Sequence, residues 1–443
     1  MQTQKDHVHA YQFMMRRMDT AFVTGDPDEH ETPGRRQWNG LLIGLVVALL
    51  VGVGFGVYGL IRPGGNTAWT IPGAILMEKE SGVRYVMING VLRPTPNQAS
   101  AMLIQGQRAT MHSISRSSLG DLPRGSLIGI RGAPDAVPAP GSLLPGRWLL
   151  CPATGGGLSV NMDDQALIDA VPDDRYVPVE APNGALYLVW RGTKYRLPDV
   201  QSRVALGLTT TLPVKANDLW LGLIPEGAAL NAAVIPQAGR DGLEIAGQRR
   251  KVGDLFVHKP ANGTEQHYVL RADGLASMSV TEYALLAAHS ARPAVQIDAS
   301  AVVSARFSPD PTLLNRLPDL VPQRAFDPFT GGPCIQQIGT GADVITSGVV
   351  IAQGAANWPS VDTFGALVRP TRGTFVAEVP LADKQRVPNR YLITDQGKRY
   401  FIPDNDSITA LGLSGMQPVP MRTEVLSMIP AGPALTRTAV VSE

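Results

Sequence analysis

Two aspartates recur at the same point of a repeated block. Asp199 stands in GTKYRLPDVQSRVALGL, beginning at Gly192, and Asp404 in GKRYFIPDNDSITALGL, beginning at Gly397, with nine of seventeen positions identical. A recurring carboxylate pair is the type of group that divides acid and base roles in hydrolysis. Here each aspartate follows a proline (Pro198, Pro403) and opens a run of helical composition, so each is a candidate N-cap, with Gly207 and Gly412 placed to close the helices. The two lie 205 positions apart in separate copies, and capping accounts for both without catalysis.

Other candidates for chemistry are weaker still. Gly397-Lys398-Arg399 holds the Gly-Lys pair, but it sits in a turn and no G-x-x-x-x-G-K-[ST] occurs, so it makes no phosphate cradle. Gly339-Thr-Gly-Ala-Asp and Gly155-Gly-Gly are too short for nucleotide loops. His30-Glu31 lacks the second histidine of a zincin, no G-x-S-x-G elbow is found, and Asp6, His7 and His9 read as a solvated terminus. We therefore expect no catalytic residue, no metal and no cofactor. Cys151 and Cys334, the two cysteines, fit either one disulfide in an oxidising compartment or two unpaired buried thiols; the first is our expectation.

The elements that carry these residues repeat. Ile224-Pro225 and Ile429-Pro430 each lie 32 residues after their glycine and open an I-P-x-G-x-A-L string. A third copy runs from Tyr85-Val-Met-Ile through Gly90 to Leu122-Pro123-Arg124-Gly125, and a degenerate fourth centres on Gly274 after Tyr268-Val-Leu-Arg, without the Pro-Gly string. Alternating aromatic and β-branched residues around a glycine turn, followed by a capped helix, predict a ββα unit with turns at Gly192 and Gly397. Such small units bury little core alone and must pack on neighbours or bind a partner.

Composition narrows the classes. The chain has 443 residues, 46 Gly and 36 Pro, and 39 Lys+Arg against 38 Asp+Glu, with no basic patch interleaved with aromatics, so nucleic acid is not an expected partner. Leu41 to Ile61 is uncharged over 21 residues, about 31 Å as a helix, which matches a bilayer core of roughly 30 Å. Gly40, Gly44, Ala48, Gly52 and Gly56 recur every four residues and draw a ridge of small residues suited to close helix packing. Flanking basic residues nearly tie (Arg35 and Arg36 against Arg62 and Lys79), so the cysteines decide orientation: N-terminus in the cytoplasm, the repeats outside. Ahead of the span, Tyr11, Met14, Met15, Met18 and Phe22 share one helical face with Arg16 and Arg17 on another, an amphipathic helix for docking a partner or a membrane surface.

On these features the chain resembles EccB, a membrane core component of type VII (ESX) secretion systems of mycobacteria and related actinobacteria. HAYQFMMRRMDTAFV looks like the family's pre-membrane segment, a single span follows, Cys151 in LLCP and Cys334 in GPCI sit where the family places its cysteine pair, and the repeats cover most of the rest. The acidic DPDEHETPG segment departs from the more basic stretch expected there. The resemblance implies an inner-membrane subunit assembled with EccC, EccD and EccE, with periplasmic repeats that pair between subunits, contact with the cell wall as a further possibility, and a label of ATPase that some members carry. The expected fold class is α+β: an N-terminal amphipathic helix and linker (1–40), one transmembrane helix (41–61), and an elongated periplasmic region of four small ββα-type repeats (75–130, 181–235, 245–305, 381–443) around a central domain in two parts (131–180 and 306–380). The runner-up is an independent membrane-anchored protein that binds peptidoglycan.

Overall fold

The computed structural model describes residues 4–25, 35–61, 65–153, 156–261, 263–326, 331–381 and 387–441. Contacts divide the chain into two units, residues 1–71, 76–82 and 112–123 in one and 72–75, 83–111 and 124–443 in the other. The acidic segment before the membrane, with His30, Glu31 and Pro33, lies outside the described residues.

The first unit contains helix α1 (Gln4–Thr24) and helix α2 (Arg35–Ile61), within which Trp38–Leu60 is long and apolar enough to cross a membrane. A single turn, Arg116–Leu119, is capped by the Ser115 hydroxyl, which accepts from the Ser118 N–H, and Arg116 pairs with the buried Glu78 at 2.7 Å.

The second unit is a mixed α+β body, and its sheets follow from the repeated hairpin. Val and Ile alternate with aromatics in LYLVW, QHYVLR and RYLIT, which pair antiparallel with the strands that follow their turns. Arg191 and Gly192 (φ 47° and 73°) and Asn89 and Gly90 (φ 50° and 78°) form two-residue loops with both centres at positive φ, the turn whose twist suits a hairpin.

Each hairpin is flanked by strands that the ββα expectation leaves out, and this is a correction. The sheet around Gly192 orders its strands Thr193–Leu197, Leu186–Trp190, Arg175–Glu180, Val214–Lys215, the last pair parallel. The same order recurs as Gly274–Met278, Gln266–Arg271, Leu255–His258, Val295–Gln296, and as Arg399–Ile402, Arg390–Thr394, Gly373–Val379, Val419–Arg422. A helix fills the crossover each time: Val200–Ala205, Val280–His289 and Asn405–Ala410. The hairpin Arg84–Ile88/Val91–Thr95 is likewise followed by helix Gln98–Gln105. Arg175–Glu180 and Gly373–Val379, placed by the expected boundaries in the central domain, thus belong to repeat sheets. The cause is that the first strand of each sheet precedes its hairpin across loops of unlike length, which hides it from a repeat search.

A separate five-stranded sheet runs Leu158–Asn161, Arg147–Pro152, Gly332–Thr340, Val344–Ala352, Ile168–Ala170. It brings together two stretches far apart in sequence, and its Trp148, Leu150, Val160 and Ile335 share one buried cluster with Val177 and Trp220 of the sheet around Gly192 and with Val376 and Met421 of the sheet around Gly397. Burial of each such side chain contributes on the order of 1.5–3 kcal/mol, so this shared cluster is where the second unit is joined.

Candidate assembly site

At the middle of the five-stranded sheet Cys151 and Cys334 form a disulfide (Sγ–Sγ 2.06 Å, Cα–Cα 4.3 Å), both fully buried, among Leu149, Ala352 and Ala355. The neighbouring pairs Leu150↔Ile335 and Leu149↔Gln336 place the cysteines directly across from each other on adjacent antiparallel strands. The two indole N–H groups nearby are satisfied. Trp148 Nε1 donates to Gln337 Oε1 at 2.9 Å, and Trp220 Nε1 donates to the Leu150 carbonyl at 3.0 Å. Trp220 thus carries the sheet around Gly192 onto the strand that holds Cys151.

On the other side, strand Val419–Arg422 approaches two glycines. Gly339 N–H donates to the Gly146 carbonyl at 2.7 Å, and a Cβ on either glycine would run into Val419. The lack of a side chain at both positions is what lets that strand cross the central sheet.

The repeated caps have definite geometry. Asp199 and Asp404 accept from the N–H of Ser202 (2.6 Å) and Ser407 (2.7 Å), and Asn97 and Ser279 make the same bond to Ser100 and Glu282. Asp199 also meets His289 Nε2 at 3.6 Å. Burial pushes the Asp199 carboxyl up, but the bonds from Ser202 and the charge of His289 outweigh it and hold the group below the usual carboxylate range. Gly192 and Gly397 sit in hairpin turns at φ 73° and 70°, and the Gly397 carbonyl accepts from Ala366 N–H at 2.9 Å, so Lys398 stands beside a turn packed on its neighbour rather than at a helix N-terminus.

The helices pair the modules. Val200–Ala205 lies against Val280–His289, sharing a core of Leu197, Leu208 and Leu285, while Asn405–Ala410 and Gln98–Gln105 share Leu103, Ile408 and Leu411. Each pair is fastened by a crossing tail. Arg437 Nε donates to the Leu103 carbonyl at 3.1 Å, and the fully buried Glu282 accepts from Ala233 N–H at 3.2 Å and from Arg316 at 2.7 Å. A buried ion pair of this type holds geometry at a desolvation cost that its added hydrogen bonds offset. Nothing in the repeat pattern marks Arg316 or Trp220; a lone buried tryptophan after the Asn217 cap was the available signal for the second.

In the first unit the residues expected to dock partners are open. Tyr11, Met14, Met18 and Phe22 are exposed on α1, Met15 less so, and Arg16 and Arg17 are exposed beside them, with Arg17 stacking 5.9 Å from the Phe13 ring. On α2, Gly40, Gly44, Ala48, Gly52 and Gly56 are all exposed, and a Cβ added to any of the four glycines would meet nothing within 4 Å. Among the described residues, no three His, Cys, Asp or Glu side chains gather in a way that would hold a metal ion.

A family model for the type VII secretion system ESX-1, transport transmembrane domain B, matches residues 1–333 and 339–443. The chain is similar to the ESX-1 secretion system ATPase EccB1 of Mycobacterium tuberculosis, 26% identical with 100% of this chain and 95% of the relative covered. It is also similar to the ESX-3 secretion system ATPase EccB3 of Mycolicibacterium smegmatis, 27% identical over 98% of this chain and 89% of that one. Among solved structures, an EccB3 dimer from the ESX-3 core complex matches with a TM-score of 0.56 and 26% identity, covering 84% of this chain and 100% of that one. A chain of an intact ESX-5 inner membrane complex matches with a TM-score of 0.57 at 22% identity over 100% of this chain and 95% of its own length, a likeness of fold.

Proposed function

The chain belongs to the EccB family of type VII (ESX) secretion systems, and we propose that it acts as an anchored scaffold that holds the subunits of the inner-membrane complex in place. It is a structural and assembly component of type VII secretion, tied to the membrane by one helix. In the scaffold reading the N-terminus lies in the cytoplasm, α2 spans the bilayer, and the second unit lies outside, where an oxidising compartment maintains the Cys151–Cys334 bridge. Four repeat modules around the disulfide sheet supply the surfaces for self-association. EccC, EccD and EccE subunits meet the small-residue ridge of α2 and the Tyr11–Phe22 face of α1.

One observation carries this reading: the ridge from Gly40 to Gly56 is open along its whole length on a helix of membrane-spanning size. Replacing Gly44→Leu and Gly52→Leu fills it. Co-purification of the other membrane subunits in mild detergent should fall at least about tenfold, roughly 1.4 kcal/mol, while unchanged co-purification would sink the packing claim. The relatives' names carry ATPase, so nucleotide turnover is the second reading. It requires hydrolysis by the pure protein that disappears in Lys398→Ala, and the turn position of Lys398 predicts no such loss.

A further inference from the structure

We propose that the free edge of strand Val344–Ala352 is a self-pairing surface, joining two copies of this chain through one continuous antiparallel sheet. This rests on the self-association in the reading above and names the surface that performs it. Among the described residues, the strand pairs with Gly332–Thr340 along its full length, but on its other side only Val350–Ala352 are covered, by Ile168–Ala170. Val344 to Val349 have no strand beside them there. Their residues are exposed or half-buried, and Val344 is 53% exposed.

Which backbone groups face outward follows from the covered end. Gln353 N–H donates to the Leu167 carbonyl at 3.1 Å, on the side of Ile168–Ala170, and the register with Gly332–Thr340 runs without a shift. Peptide groups alternate along a strand, so the N–H and C=O of Ile345, Ser347 and Val349 point to the uncovered side. A row of such groups is a template for another strand.

Several other edges are guarded. Thr193–Leu197 carries Lys194 and Arg196, Gln248–Lys251 carries Arg249, Arg250 and Lys251, and Arg399–Ile402 opens with Arg399, while Lys194 and Arg399 are further covered by bridges to Glu226 and Ala431. The opposite edge of the central sheet is covered by Leu367, whose N–H donates to the Val160 carbonyl at 2.8 Å. By contrast VITSGVVIA has no charge and no proline. It also fits itself. In an antiparallel pair centred on Ser347, Ile345 faces Val349, Thr346 faces Gly348 and Ser347 faces its own mate, with no like charges opposed. Ile345 further lines an open groove of about 690 Å3 with Val379, Pro380, Leu381 and Arg422, which leaves room for side chains of the added strand.

The test uses the full chain in detergent. Gly348 has nothing within 4 Å of an added Cβ and a backbone any residue adopts, so Thr346→Lys with Gly348→Lys sets lysines opposite each other while leaving the fold intact. Light scattering over a concentration series should show the wild type dimerising and the double variant dissociating at least about tenfold more readily. Ser347→Cys should give a covalent dimer under mild oxidation that reductant reverses, whereas Val303→Cys, on the 85% exposed Val303, should not. If the wild type dimerises but the lysines leave its dissociation constant unchanged, or Val303→Cys crosslinks as well as Ser347→Cys, the edge is not the surface and self-association stands. A wild type that stays monomeric throughout overturns both.

Discussion

The hairpin at Gly274 and the hairpin at Gly397 reach the same backbone with different side chains. In both, the chain returns after 32 residues to bridge the hairpin: Leu275 with Phe307, Arg399 with Ala431, as Lys194 does with Glu226 and Leu92 with Arg124. Around Gly397 the return carries glycine at position 432, and a Cβ there would collide with the Tyr400 ring; Gly227 and Tyr195 stand in the same relation. Around Gly274 the corresponding residues are Ser308 and Ala276. Ring and glycine are exchanged together for methyl and hydroxymethyl. In the modules around Gly192 and Gly397 the glycine of the Pro-x-Gly string makes room for a tyrosine ring, whereas Gly125 of the same string meets Arg93 and Val91; the degenerate copy has not lost its architecture but changed one packing pair.

That comparison can be broken most forcefully at Tyr400, which is fully buried. Tyr400→Ala should cost about 3–5 kcal/mol, read as a lowered denaturation midpoint of the full chain followed by fluorescence. Next in size, Gly432→Ser should cost about 1–3 kcal/mol by overpacking. The double variant, which copies the module around Gly274, should cost clearly less than the two together; strict additivity would show that ring and glycine are not coupled. Ser279→Ala and Asp404→Ala each remove one cap bond and should cost about 1 kcal/mol, with equal losses supporting the view that the two modules differ only in the exchanged pair.

A smaller effect separates the modules by pH. His267, where the module around Gly192 has Leu186, is buried, stacks on Tyr283 with centroids 4.2 Å apart, and leaves Nδ1 without a hydrogen-bond partner among the described residues. Burial holds its pKa below the usual histidine value, against the opposing pull of Glu265 and Asp319. The unfolded chain then binds the proton more readily. The contribution of neutral His267 is complete above about pH 6.5 and is lost as pH falls toward the folded pKa. Thermal midpoints measured through this window should drop in the wild type and flatten in His267→Phe; parallel curves would remove His267 as the cause.

Much of this architecture was legible because the hairpin, turn and cap are local. Tyr187 and Tyr391, the positive-φ glycines and the Asp199 and Asp404 caps lie within one block, where sequence spacing equals structural spacing. The outer strands were not legible, since Val214–Lys215 and Val295–Gln296 are only two residues long and take their conformation from the strand beside them. The bridge at Phe307 was missed because backbone hydrogen bonds, not the Pro-Gly side chains, define it: Leu275 N–H donates to the Arg306 carbonyl and Ser308 N–H to that of Leu275. In the sequence Arg399 stands out only by its place after Gly-Lys, yet its Nε donates to the Ile429 carbonyl at 2.9 Å, and Lys194 Nζ likewise reaches the Leu221 carbonyl at 2.8 Å. Those roles depend on where a later helix ends, which no local pattern reveals.

The disulfide has a mechanical consequence that its thermodynamic contribution does not express. Cys151 and Cys334 are 183 positions apart and enclose the modules around Gly192 and Gly274 in a covalent ring. A pull between the membrane anchor and the C-terminus first loads the contacts of helix Gln98–Gln105 with Arg437 and the C-terminal module; once these yield, the covalent path runs from Cys151 straight to Cys334 and on through the module around Gly397. The enclosed modules carry no share of that load. They remain folded under a tension that stretches the rest of the chain, and reduction of this one bond would place them in series with it.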